Sequence, residues 1–399
     1  MATMIGLFSS IGEHIPIFRK DKIVEASAEG TINRFHFRGT SLLILVCCVM
    51  VTCTEWISGT GSILDCIHGG SIPDNVINMF CYIQGTFSVP IHYRDHDTQI
   101  GYDVSQTGVG PYNPEKDFIE VKQYYQWVPF VLFLQGILFY VPHIIFKSIE
   151  GSKVKTIMGS LNLFMLKTEA RKGAEEELAD YFIKTRGIHN NWALGLLFAH
   201  FLYLLNVVGQ IFFTDMFLGY EFSTYGVNAA SFLEDQPEDR IDPMSKVFPR
   251  VTKCTFHKYG SSGTLQTHDV QCILPINIIN EKIYVFLWFW FMILTVLTFI
   301  DVIHHVGLLS LPSVRRMIIK RKLRTAPLFK VTGMDIDTKL ILDNISYGDW
   351  KLFYHLIRNM DSITAIEWMQ ALTTKLRDEV EDQLHTSETL PLKSKILKE

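Results

Sequence analysis

The sequence predicts an all-α polytopic membrane protein with a four-helix transmembrane bundle. Three observations predict it: four apolar runs of membrane-spanning length, basic residues gathered on one side of those runs, and four cysteines confined to the segments on the other side. A hydrocarbon core about 30 Å thick is crossed by roughly 20 helical residues, and each run supplies that length.

The first run, 39–57 (GTSLLILVCCVMVTCTEWI), is uncharged until Glu55 at its far end. The second, 125–146 (YQWVPFVLFLQGILFYVPHIIF), contains no ionised residue. The third, 192–213, carries His200, Asn206 and Gln210 as its strongly polar side chains. The fourth, 283–306, opens with IYVFLWFWFMILTVLTFI. A core helix of a soluble protein shows a polar stripe at 3.6-residue spacing, and the second and fourth runs have none.

Basic residues near span ends mark the cytoplasmic side. Arg315, Arg316, Lys320, Arg321, Lys322 and Arg324 follow the fourth run without an acidic residue among them. Lys147, Lys153, Lys155, Lys167, Arg171, Lys172, Lys184 and Arg186 separate the second run from the third, and Arg19, Lys20, Lys22, Arg34 and Arg38 precede the first. Segments 1–38, 147–191 and 307–399 are therefore expected in the cytoplasm, and loops 58–124 and 214–282 outside. The N-terminus lacks the pattern of a removable signal peptide.

That orientation is independently consistent with the cysteines. Cys66 and Cys81 fall in the first outer loop and Cys254 and Cys272 in the second, where an oxidising compartment favours disulfides. Spacing alone leaves three connectivities open. Cys254-x2-His257 with His268-x3-Cys272 also has the spacing of zinc ligands, but zinc there would strand the first loop's two thiols. Cys47, Cys48 and Cys53 lie inside the first run and read as small apolar packers.

Net charge is -4, which leaves no basic surplus for nucleic acid. There is no nucleophile elbow, phosphate loop or metalloprotease helix, so neither an enzyme nor a cofactor or metal is expected. Within the spans, Pro129 and Pro142 are hinge candidates because each removes a backbone donor. Asn206 and Gln210, four residues apart, are expected to bond to neighbouring helices. Asp301, His304 and His305 are expected to snorkel to the headgroups rather than bind metal. Glu55 and Asp65 are carboxylates placed to favour cations in a passage. Further helices are expected over 167–184, 336–356 and 363–384, with a polar tail from residue 385. The chain's Asn-x-Ser/Thr sequon, Asn344-Ile345-Ser346, falls in the cytoplasmic part, so no sugar would obstruct the outer loops.

Several segments are specific. The run YYQWVPFVLFLQGILFYVP (124–142), together with FSTYG (222–226), RIDPMSKVFPRVTKCTFHKYGSSG (240–263) and INEKIYVFLWFWF (279–291), resembles the innexin family, in an insect-like form and over most of the chain. The resemblance implies a gap junction channel subunit. It implies an extracellular cap of short helices and a small β-sheet, stapled by Cys66–Cys272 and Cys81–Cys254, and a cytoplasmic helical dome. It implies a ring of identical subunits, eight by family resemblance, docked through both outer loops to an opposing hemichannel, with other innexins and membrane lipids as further partners at the plasma membrane. Segment 1–38 would then supply the pore funnel, with Met1, Ala2, Thr3 and Glu13 among its lining candidates beside Glu55 and Asp65. Two other functions remain to be separated from this one: an undocked hemichannel releasing small molecules, and an adhesion or scaffold protein that conducts nothing.

Overall fold

A computed structural model describes residues 28–57, 64–69, 72–90, 108–110, 113, 117–159, 168–232, 243–323, 334–361 and 363–379. After a helical turn at Thr31–Arg34 and a π-helical turn at Phe35–Thr40, the chain forms α1 (Ser41–Ile57). The first outer segment holds β1 (Asp65–Ile67), α2 (Asp74–Gln84), β2 (Thr86–Ser88) and β3 (Glu120–Lys122). Then come α3 (Val128–Leu138), α4 (Val141–Glu150), α5 (Lys153–Gly159), α6 (Thr168–Lys184) and α7 (Asn190–Phe217). The second outer segment holds α8 (Phe222–Ser231), α9 (Pro243–Val247), β4 (Val251–Tyr259) and β5 (Leu265–Ile273). The chain continues through α10 (Ile276–Ser310), α11 (Pro312–Leu323), α12 (Met334–Asp343), α13 (Tyr347–Asn359) and α14, which spans 363–379.

Among the described residues, four stretches are long and apolar enough to cross a bilayer: Thr31–Cys53, Val128–Glu150, Asn190–Phe217 and Ile276–Ser310. Each differs at its ends from the apolar run that revealed it. The first begins before residue 39 because the π-helical turn carries the helix back through Gly39. There Thr40 Oγ1 donates to Phe35 O at 2.9 Å and accepts from Trp290 Nε1 at 2.9 Å. The second begins at Val128 because Tyr124–Gln126 forms a separate 3-10 turn. The fourth starts at Ile276, since the polar residues that open it find partners described below.

The prolines of the second span both stand at helix starts. Pro129 lies in the first turn of α3, where its missing N–H would have no partner, so it opens the helix instead of bending it. Pro142 is the second residue of α4, just after the break at Phe139 and Tyr140 that divides the span. Among the described residues, Asn206 Nδ2 and Gln210 Oε1 have no hydrogen-bond partner within this chain. Gln135 Nε2 bonds across to Thr214 Oγ1 at 2.8 Å, and Ser41 Oγ to Gly136 O at 2.7 Å. Helices α1 and α3 can approach this closely because a Cβ on Gly136 would stand only 3.0 Å from Leu45.

The chain forms two compact units. One comprises Phe35–Val141 and Leu204–Leu297 and contains the five described strands. Its core gathers Val128, Leu132, Phe139, Phe222, Tyr225, Phe248, Tyr284, Leu287 and Phe291. Within it α8 lies directly on α10: a Cβ on Gly226 would come 2.0 Å from the Trp288 ring, whose Nε1 donates to Ser223 O at 3.1 Å. Gly226→Ala should therefore cost about 1–3 kcal/mol by overpacking. Thermal unfolding of the purified variant checks this, and a midpoint equal to wild type would contradict it.

The other unit comprises Met1–Arg34, Pro142–Tyr203 and Thr298–Glu399. Its core gathers Phe182, Trp350, Phe353 and Trp368, with Trp350 and Trp368 fully buried. The expected single helix over 336–356 is two, α12 ending at Asp343 and α13 beginning afresh with Ser346 as its N-cap. Its Oγ accepts from the Asp349 N–H while the Asp349 carboxylate accepts from the Ser346 N–H, a reciprocal cap. Asp349 Oδ2 also accepts from Gly187 N at 2.8 Å, which ties α13 to the turn before α7. The serine of the sequon is thus occupied as a structural cap.

The residues expected at the headgroups divide. His304 is exposed, whereas Asp301 and His305 turn inward, their side chains 17% and 14% exposed. Asp301 Oδ2 lies 2.8 Å from His200 Nδ1, and His305 Nδ1 lies 3.1 Å from Lys351 Nζ, so buried partners hold these two side chains away from the surface. Burial pushes Lys351 down to about 8 and His355 well below the usual imidazole range.

Candidate functional site

The site is the body formed by the two cysteine-bearing loops. The β4–β5 hairpin of the second loop reverses through Gly260 to Gly263, where Gly260 N donates to Thr264 O at 2.8 Å and Gly263 takes a φ of 80°. Its strands are flanked on both sides by strands of the first loop, in the order β1-β5-β4-β2-β3. β1 pairs antiparallel with β5, and β2 meets β4 at Phe87 and Lys253. Neither loop makes this sheet alone, because β1, β2 and β3 are three residues each and need the hairpin as a template.

Two disulfides fasten the same junctions. Cys66 stands directly opposite Cys272 in the β1–β5 register and is bonded to it. Cys81, on the buried face of α2, is bonded to Cys254 of β4 with a Cα separation of 5.9 Å. One bridge thus joins strand to strand and the other joins helix to sheet. With Cys254 and Cys272 committed to disulfides, the zinc-like spacing of His257 and His268 has no thiolate to offer a metal.

Local chemistry explains how α2 is placed. Ile77 and Cys81, four residues apart, are fully buried, while Val76, Met79 and Ile83 are 50%, 62% and 67% exposed. The helix ends at Gly85, whose φ of 87° suits only glycine and where a Cβ would stand 2.5 Å from the Gln123 side chain. Its last carbonyls are then satisfied from the segment before the second span. Gln123 Nε2 donates to Gln84 O at 2.9 Å, Gln126 Nε2 donates to Tyr82 O, and Tyr125 OH approaches the same oxygen at 3.5 Å. Burial pushes the Tyr125 phenol up to about 12, so it stays protonated and able to donate. Tyr125 and Gln126 belong to the YYQW motif and Gln123 directly precedes it, so α2 is capped from the segment just before the second span.

The fourth span is anchored in a similar way. Asn277 Nδ2 donates to Pro249 O at 2.7 Å and to Tyr124 OH at 2.9 Å. Glu281 is 1% exposed, and both its oxygens accept from Arg250 Nη2 at 2.9 Å. Lys282 Nζ lies 2.9 Å from the same carboxylate. Lys253, 8% exposed, pairs with Asp269 at 2.7 Å and donates to Gly110 O at 2.9 Å. Arg250, Asn277 and Glu281 were not legible as site residues, because their charge and polarity at a span edge look like ordinary boundary residues.

Among the other sequence candidates, Asp65 begins β1 opposite Ile273. Glu55 falls within α1. Met1, Ala2, Thr3 and Glu13 lie outside the described residues. Cys47 is buried as a packer, and the Cys48 thiol donates to Pro129 O at 3.3 Å, where α1 meets α3.

Comparison with known proteins agrees with this architecture. The innexin family model matches residues 29–376. The chain is 40% identical to innexin inx2 of Drosophila melanogaster over 89% of its own length and 93% of that protein's. It is 36% identical to innexin inx3 of the same fly, covering 92% of this chain and 89% of that one. It is 35% identical to innexin shaking-B, also of Drosophila melanogaster, over 89% of this chain and 92% of that one. Four membrane-length apolar helices, two loops woven into one disulfide-stapled sheet and a family match over nearly the full length lead to one conclusion: the chain belongs to the innexin family.

Proposed function

We propose that this innexin forms rings of identical subunits, eight by family resemblance, that dock end to end across two cells and pass ions and small metabolites. The observation that carries this reading is the shared sheet, since a docking surface must hold its shape while two membranes approach. A sheet with its central hairpin from one loop and its flanks from the other, fastened at both junctions by disulfides, supports that demand.

In this reading loops 58–124 and 214–282 face outward, and the basic segments 1–38, 147–191 and 307–399 lie in the cytoplasm. Apolar side chains such as Phe130, Leu205, Phe212, Ile293 and Ile300, 55% to 69% exposed on the span helices, face lipid or neighbouring subunits. The exposed stripe of Val76, Met79 and Ile83 on α2 suits a subunit contact around the ring. Segment 1–38, with Met1, Ala2, Thr3 and Glu13, lines the funnel, and Glu55 and Asp65 bias the outer passage toward cations. Pro142, beside the break in the second span, is the position at which that span would flex.

Dye transfer between paired expressing cells tests the reading. A docked channel passes dye from cell to cell. Leakage to the medium alone would replace it with an undocked hemichannel, and no passage at all with an adhesion protein.

A further inference from the structure

The unit that holds residues 142–203 and 298–399 contains a cluster of nitrogen and oxygen donors that gap junction formation does not use. His200 comes from α7, and Asp301 and His305 from successive turns of α10. One donor atom from each lies within 4.8 Å of the others. The two oxygens of Asp301 face different imidazoles: Oδ2 is 2.8 Å from His200 Nδ1 and Oδ1 is 3.7 Å from His305 Nε2. The two imidazole rings lie with centroids 4.0 Å apart.

A second observation points to a cation ligand. His355 of α13 is 3% exposed, and among the described residues neither of its ring nitrogens has a hydrogen-bond partner. It lies close enough to the cluster to interact electrostatically with both His200 and His305. A buried imidazole without a donor or acceptor is costly. Two imidazoles on one carboxylate, with a third, unpartnered imidazole beside them, form a donor set that a metal ion would satisfy. Lys351 Nζ approaches His305 from the Nδ1 edge, which leaves the Nε2 edge toward Asp301.

We propose that His200, Asp301 and His305 bind a divalent transition metal of the zinc class, with a fourth position open beside His355. Two imidazoles and a carboxylate suit zinc or cobalt better than calcium or magnesium, which prefer all-oxygen shells. Bonds of about 2.0–2.1 Å to a tetrahedral ion would set the donors about 3.3 Å apart, so small rotations of the two rings complete the site. The ion would fasten α7 to α10 beside the buried face of α13.

The experiment uses full-length protein in detergent, stripped with chelator and titrated with Co2+ alone and then with Zn2+ at neutral pH. The expected result is one Co2+ per subunit, with the d–d absorption of a four-coordinate nitrogen and oxygen site and no thiolate charge-transfer band. Zn2+ displaces it and raises the thermal midpoint. Asp301→Asn and His305→Gln, each first shown to unfold like wild type without metal, should bind roughly tenfold more weakly or worse. His257→Gln, in the outer hairpin, should bind as wild type does. Equal binding by wild type and Asp301→Asn, or no binding by wild type, would overturn the proposal. So would a thiolate band that disappears on replacing Cys47, Cys48 and Cys53.

Discussion

Cells expressing Cys81→Ser are expected to lose junctional coupling while still carrying the protein at their surface. Cys81 is fully buried and joins α2 of the first loop to β4 of the second across 173 residues of sequence. Removing a native bridge of this kind costs about 2–5 kcal/mol, mainly through freedom returned to the unbridged chain. The loss falls on one junction of the sheet, where β2 and β4 share a single residue pair, Phe87 with Lys253. Without the bridge the seat of α2 on the hairpin rests on noncovalent packing such as Phe80 against Phe256, which does not fix the exposed stripe covalently. The span helices have their own packing and do not depend on it. Cys254→Ser should reproduce the phenotype, and the double variant should be no worse, because both singles remove the same bond. Cys48→Ser, within the first span, should retain coupling. Dye transfer paired with surface biotinylation reads all four. Normal coupling in Cys81→Ser would remove the mechanical role assigned to the bridge.

Arg250→Ala is expected to cost about 2–4 kcal/mol and to reduce coupling as well. Glu281 is almost wholly buried at the start of α10, and the Arg250 fork supplies most of its hydrogen bonding. Removing one partner of a buried pair leaves a charge that has already lost its water, a cost larger than the pair's own net contribution. Lys282 remains 2.9 Å away but is itself 64% exposed, so it offsets only part of the loss. Because Arg250 is 44% exposed, the lower half of the range is the better estimate. Adding Glu281→Gln should recover part of the stability, since a neutral amide needs no counter-charge. A midpoint for the double variant below that of Arg250→Ala would show that the buried charge is not the cause.

The four spans were legible because lipid demands length and apolarity together, and little else in a sequence produces 18 or more such residues in a row. Their ends were not. The fourth helix begins seven residues before the apolar run at Ile283, since Asn277 and Glu281 are satisfied by Pro249, Tyr124 and Arg250, partners that hydropathy does not reveal. The π-helical turn at Phe35–Thr40 has no periodic signature, and it became visible only through the bonds around Thr40.

In the outer loops, placement of the four cysteines was readable from topology, whereas the pairing came from family resemblance. Strands as short as Asp65–Ile67 carry too few residues for alternation to show, so the sheet's order was invisible. The cluster around His200 illustrates the same limit. Asp301 and His305 were visible beside a span end, but Lys351 and His355 approach them from about fifty residues further along, so sequence alone sent both side chains to the membrane surface.

Epitope insertion after residue 100, read by antibody on intact cells and again after permeabilisation, bears most directly on the sidedness that docking requires. The account predicts labelling of intact cells at that position, with a tag placed after residue 399 reached only once the membrane is opened. A first-loop tag that stays hidden until permeabilisation would put the stapled sheet in the cytoplasm, where it could meet no opposing cell.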